Sequence, residues 1–148
     1  MIPQRINLIL YSTLAVIICY IDRVNISVAI IPMQEQFGWS DSQVGFIFSS
    51  FYLGYMLTMA LGGYLSDKFG GKLVLGWGVV LWSIFTMLTP LAAHNGFFAL
   101  FFIRVLMGIG EGVTFPAWHS LYARWIPFNE RTRAIAFTNS GVSVGTII

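Results

Sequence analysis

Long apolar runs separated by short polar connections set the pattern of this chain. A membrane-crossing helix needs about 20 mostly apolar residues. The first such run covers about residues 7–32, interrupted near its centre by Tyr20, Asp22, Arg23 and Asn25. The second covers about residues 41–66, with Ser40 and Asp41 placed to cap it. The third covers about residues 73–91 and is closed by Pro90; the fourth covers about 96–118, with Arg104 and Glu111 inside. A fifth begins near residue 133 and is still apolar at Ile148. None shows the alternation of a membrane barrel strand. The pattern predicts an all-α integral membrane protein with four complete transmembrane helices and an incomplete fifth. A helix ending inside the bilayer would leave its last carbonyls unpaired. Residues 1–148 are therefore expected to be a truncated N-terminal transmembrane bundle.

Composition narrows the class. The 148 residues are 57% hydrophobic and 9% charged, against about 45–50% and 25% in soluble domains. That excludes a disordered chain and a soluble enzyme. A net charge of +2 is too small for a nucleic-acid surface. Cys19 is the single cysteine, so an intrachain disulfide is impossible. A cleaved signal peptide is disfavoured by the length of the first run, by the lack of a small-residue cleavage site and by Asp22-Arg23 in its middle. A membrane-embedded enzyme would need a nucleophile or a metal cluster. The sequence offers only His94, His119 and an isolated Cys19, so no enzyme and no cofactor are expected.

The basic residues set an orientation. Arg5 precedes the first helix, Lys68 and Lys72 lie between helices 2 and 3, and Arg124, Arg131 and Arg133 between helices 4 and 5. The 1–2 and 3–4 connections hold no lysine or arginine. By the positive-inside rule the N-terminus is cytoplasmic. The expected location is multi-pass in the cell (inner) membrane, with the lipid bilayer as solvent.

Two arginines and two acids remain inside helices: Asp22, Arg23, Arg104 and Glu111. A charge at a helix centre costs about 2.5–3.5 kcal/mol on insertion scales, so a functional role is the default. They fit either structural ion bridges or a polar cavity. Arg104 and Glu111 are seven residues apart, two turns or about 10 Å along one helix face. Gly108 lies between them, and Gly108-xxx-Gly112 is a small-residue packing pattern. Arg23 shares a face with Tyr20 and Ser27, an arrangement suited to an oxyanion. Asp22 points about 100° away, toward a neighbouring helix. Tyr52 and Tyr55 are candidates for the opposite wall. Between helices 2 and 3, Gly63 to Lys72 predicts a tight cytoplasmic turn, with Asp67 able to cap or bridge a helix end.

That stretch, Gly63-x-Leu65-x-Asp67-Lys68-x-Gly70-x-Lys72, resembles the loop signature of the major facilitator superfamily. Leu100-x-x-x-Arg104-x-x-Met107-Gly108-x-Gly110 resembles its fourth-helix motif, with Met107 in place of glutamine. Arg23 to Ala29, Glu111 to His119 and Trp125-x-Pro127-x-x-Glu130-Arg131 are similar to the anion:cation symporter family. That family includes sialin, the vesicular glutamate transporters, phosphate cotransporters and bacterial hexonate permeases. The resemblance implies the N-terminal part of a twelve-helix fold. It implies secondary active transport of an organic or inorganic anion, a carboxylate, acidic sugar or phosphate, by proton-coupled symport with alternating access. The partners it implies are a small anionic substrate, a proton or sodium as coupling ion, and the remaining half of the transporter.

Residue by residue, the resemblance implies that Arg23, Arg104, Tyr20 and Tyr55 bind substrate and that Glu111 and Asp22 couple protons. Gly63, Asp67, Lys68, Gly70 and Lys72 would form a gating motif. Phe48 stands where the glutamate transporters have histidine, and Val142 where the hexonate permeases have a substrate-contacting glutamine, so the substrate stays open. His119 is read as structural. The alternatives are a complete four-helix exporter and a non-transporting membrane subunit.

Overall fold

The structure, a computed structural model, describes residues 4–147. Its elements are α1 (Gln4–Phe37), α2 (Asp41–Phe69), α3 (Gly71–Asn95), α4 (Phe97–Gly112), α5 (Thr114–Trp125) and α6 (Phe128–Ile147). Among the described residues, four spans are long and apolar enough to cross a membrane. α4 and α5 together form the fourth, Phe97–Trp125.

The helices outrun the boundaries expected from the pattern, and proline explains most of the difference. α1 continues past Pro32 to Phe37, and α3 continues past Pro90 to Asn95. Proline is tolerated inside membrane helices because neighbours re-satisfy the freed backbone groups. The fourth helix runs to Trp125 rather than ending near residue 118, and it breaks at Val113. Pro116 has no N–H for the Gly112 carbonyl, which locates the break. α6 starts at Phe128 rather than near residue 133, its first turn held by the Pro127 carbonyl accepting from the Glu130 and Arg131 N–H groups. Ser40 caps α2 in a reciprocal capping box with Gln43.

α4 is the central post, packed between α2 and α3, while α1 pairs with α6. The close approach of α4 needs glycine. A Cβ on Gly108 would land on the Phe51 carbonyl, and one on Gly54 would land on the Val105 carbonyl. Three buried clusters stack along the bundle. At one end Val16, Trp118, Leu121, Tyr122, Ile126 and Ala134 join α1, α5 and α6. At the other Ile30, Trp39, Ile47, Ala92, Ala93 and Leu100 join α1, α2, α3 and α4. Cys19, Phe51, Trp82 and Met107 form a third cluster. The charged residues sit at this third cluster. Large apolar side chains such as Met56, Met87, Phe98 and Phe102 cover the outside, as a lipid-facing surface requires.

Candidate functional site

Four-residue spacing on α1 puts Cys19 and Arg23 on one face, and both meet Glu111 from α4. Arg23 Nε donates to Glu111 Oε1 at 3.2 Å, and the Cys19 thiol donates to the same oxygen. Glu111 is 1% exposed. The Arg23 guanidinium also lies over three rings, with centroids 5.0 Å away for Tyr20, 5.0 Å for Phe51 and 4.6 Å for Tyr55. The Arg104 guanidinium also lies near Phe51, 5.1 Å from the ring centroid. Its Nη1 donates to Met107 Sδ at 3.3 Å. Phe51 thus has two cations within cation–π distance of its ring.

Three buried polar atoms here have no partner: Arg23 Nη2, Arg104 Nε and Glu111 Oε2. Buried donors normally find acceptors. Two orphaned guanidinium N–H groups around one ring form a site with donors to spare.

Asp22 turns away from this cluster, toward α3. Its Oδ2 lies 3.4 Å from the Thr86 hydroxyl oxygen. A cavity of about 180 Å³ opens there, lined among others by Asp22, Asn25, Thr86, Thr89, Arg104 and Met107. Arg104 therefore borders both the Phe51 ring and this cavity.

The expected residues are not all brought together. Arg104 and Glu111 share a helix, but the partner of Glu111 is Arg23. Tyr20 and Tyr55 join Arg23, while Tyr52 is 55% exposed and only flanks Phe51. Ser27 is exposed on α1. His119 stacks on Trp118, with ring centroids 3.8 Å apart. Phe51, Cys19, Met107 and Thr86 were missed. Phe51 had one signal, its four-residue spacing from Tyr55. Cys19 had the same spacing from Arg23.

The Gly63 to Lys72 stretch is tighter than the predicted turn. Gly63, Asp67 and Lys68 belong to α2, Gly71 and Lys72 to α3, and the connection is Gly70 alone. Its φ of 89° is a conformation that favours glycine. Asp67 reaches α5: its carboxylate accepts from the Ser120 hydroxyl at 3.4 Å, its carbonyl accepts from Arg124 at 3.2 Å, and the two charges lie 4.0 Å apart.

Residues 12–148 match the Major Facilitator Superfamily. The chain belongs to that superfamily, whose members are transporters and not enzymes. It is 48% identical over 145 residues to an ascorbate transporter, chloroplastic, of Arabidopsis thaliana, covering 98% of this chain and 27% of the relative. It is 46% identical over 145 residues to sodium-dependent phosphate transport protein 1, chloroplastic, of the same plant, covering 98% and 28%. Its fold matches the crystal structure of a bacterial homolog to the human lysosomal transporter Spinster, inward-facing and occupied. That match has a TM-score of 0.90 and 32% identity over 98% of this chain and 31% of that one. The chain thus spans about a quarter to a third of the length of these proteins. The expected superfamily and its N-terminal helical fold are borne out, as is a multi-pass membrane protein. The expected inner cell membrane does not fit, because the relatives are chloroplastic.

Proposed function

We propose that this chain is the N-terminal part of a proton-coupled symporter of small oxyanions. One observation carries the reading: the guanidiniums of part-buried Arg23 and buried Arg104 both lie near the Phe51 ring, each with a buried N–H that has no protein acceptor. Guanidinium binds carboxylate and phosphate with directed donors. Arg23 and Arg104 hold the anion, and Tyr20 and Tyr55 border it. The relatives named for phosphate and ascorbate support an anion as cargo, with phosphate the first candidate.

Coupling follows from shared contacts. In the empty site Glu111 occupies Arg23. An arriving anion competes for that guanidinium, and the carboxylate it releases takes up a proton. The loaded, neutralised site then crosses by alternating access against the second half of the protein. Asp22 is the second coupling carboxylate. The Gly63 to Lys72 hinge, with Asp67 against α5, acts as the gate on the basic side. By the positive-inside rule that side, with the N-terminus, faces the cytoplasm or its counterpart, the stroma. The relatives favour a chloroplast membrane.

The test is charge-conserving substitution in the full-length protein. Arg23→Lys and Arg104→Lys lose the planar fork. Each is expected to lower phosphate uptake at least tenfold at normal membrane insertion. Wild-type uptake by both variants would make the arginines structural and end the anion reading.

A further inference from the structure

The two oxygens of the Glu111 carboxylate are unevenly served. Oε1 accepts from both Arg23 Nε and the Cys19 thiol, while Oε2, also buried, has no partner. Both donors come from one face of α1, where Cys19 and Arg23 are four residues apart. Cys19 is 1% exposed and clusters with Phe51, Trp82 and Met107. A cysteine in such company usually packs as a small hydrophobe. This one directs its S–H at a carboxylate. The charged and titratable groups around Glu111 are Cys19, Tyr20, Asp22 and Arg23 on α1, Tyr55 on α2 and Arg104 on α4. Of these, Arg23 and Cys19 are the two that hydrogen-bond it.

An arriving anion acts differently on the two donors. Arg23 carries a charge the anion competes for, and it is drawn away. Cys19 is neutral and stays. The thiol is then the one protein donor left on Glu111 among the described residues. It occupies Oε1, so an incoming proton meets Oε2, the oxygen without a partner.

We propose that Cys19 is a positioning residue for Glu111: its thiol pins Oε1 through the transport cycle and so directs the coupled proton to Oε2. This rests on the coupling reading above and specifies the atom that takes the proton. The thiol keeps its own proton throughout. The proton on Oε2 is taken from the uptake side and given up on the other. Oε1 stays free of it, so Arg23 returns to an oxygen that can still accept its N–H. The terminal torsion of a glutamate is broad and roughly two-fold. Without the thiol its two oxygens exchange by rotation, and a proton on the oxygen facing Arg23 obstructs that return.

The test uses the full-length protein in proteoliposomes, with pH-gradient-driven phosphate uptake and phosphate counterflow as readouts. Cys19→Ala loses the donor; Cys19→Ser keeps one. Cys19→Ala is expected to lower the maximal uptake rate about fivefold, the worth of one hydrogen bond, with the half-saturating phosphate concentration and counterflow within about twofold of wild type. Cys19→Ser should restore most of the rate. A packing role predicts the opposite order, since a hydroxyl among Phe51, Trp82 and Met107 is costlier than a methyl group. The contact itself is read from the infrared S–H stretching band, isolated by subtracting the Cys19→Ala spectrum in each background. Donation to a carboxylate is charge-assisted and lowers the band, so Glu111→Gln should raise it. An unmoved band, or Cys19→Ser no better than Cys19→Ala, overturns the inference. Uptake lost in Glu111→Gln but normal in Cys19→Ala also overturns it and leaves the coupling reading standing. Normal gradient-driven uptake in Glu111→Gln overturns the coupling reading itself.

Discussion

The chain carries two acid–arginine contacts of the same chemistry in opposite surroundings. Inside the bundle, Arg23 and Glu111 meet at 3.2 Å with side chains 17% and 1% exposed. At the basic end of the bundle, Arg124 and Asp67 stand 4.0 Å apart, 53% and 78% exposed. Water screens the outer pair and each charge is stable alone. The inner pair has no such alternative, so neither charge can lose its partner without a replacement. An arriving anion or proton is such a replacement. In the function proposed above, the same contact serves as a reversible latch when exposed and a coupling element when buried.

The comparison predicts very unequal costs. Arg23→Ala leaves Glu111 buried without its cation, at about 3–5 kcal/mol. Thermal unfolding of the purified full-length protein in detergent should show a clear loss of stability, and pairing it with Glu111→Gln should restore much of it. If Arg23→Ala alone is as stable as wild type, the inner pair is not what its geometry indicates. Asp67→Asn breaks the outer contact and should cost about 0–1 kcal/mol. Its effect belongs in the rate of exchange between inward-open and outward-open states, read by cross-membrane accessibility labelling. A large loss of stability with unchanged exchange would place Asp67 in the scaffold rather than the gate.

Much of this architecture was legible in the sequence, for physical reasons. Apolar runs of membrane length cannot be read as much else, so the four spans followed from the pattern. Ser40 was recognisable as a cap because its spacing to Gln43 is local. Helix ends were less legible, because Pro32 and Pro90 end helices in water and not in a bundle that re-satisfies the backbone. Pro116 carried the signal for the break at Val113. In the site, the charged residues announced themselves through their cost in lipid. Their pairing did not. Arg104 and Glu111 share one helix face, and the reach of Arg23 across from α1 depends on how closely α1 and α4 approach. Phe51, Cys19 and Thr86 are ordinary membrane-helix residues, and only three-dimensional placement distinguishes them.

The central claim is that Glu111 trades Arg23 for a proton when the anion binds. Glu111→Gln holds the site in its protonated form. The direct measurement is paired: uptake driven by a pH gradient and substrate counterflow, in proteoliposomes at equal protein. Lost uptake with retained counterflow is the predicted result, because exchange needs only the loaded carrier to move whereas net uptake needs the proton released. Gradient-driven uptake equal to wild type would contradict the account and remove Glu111 from the coupling.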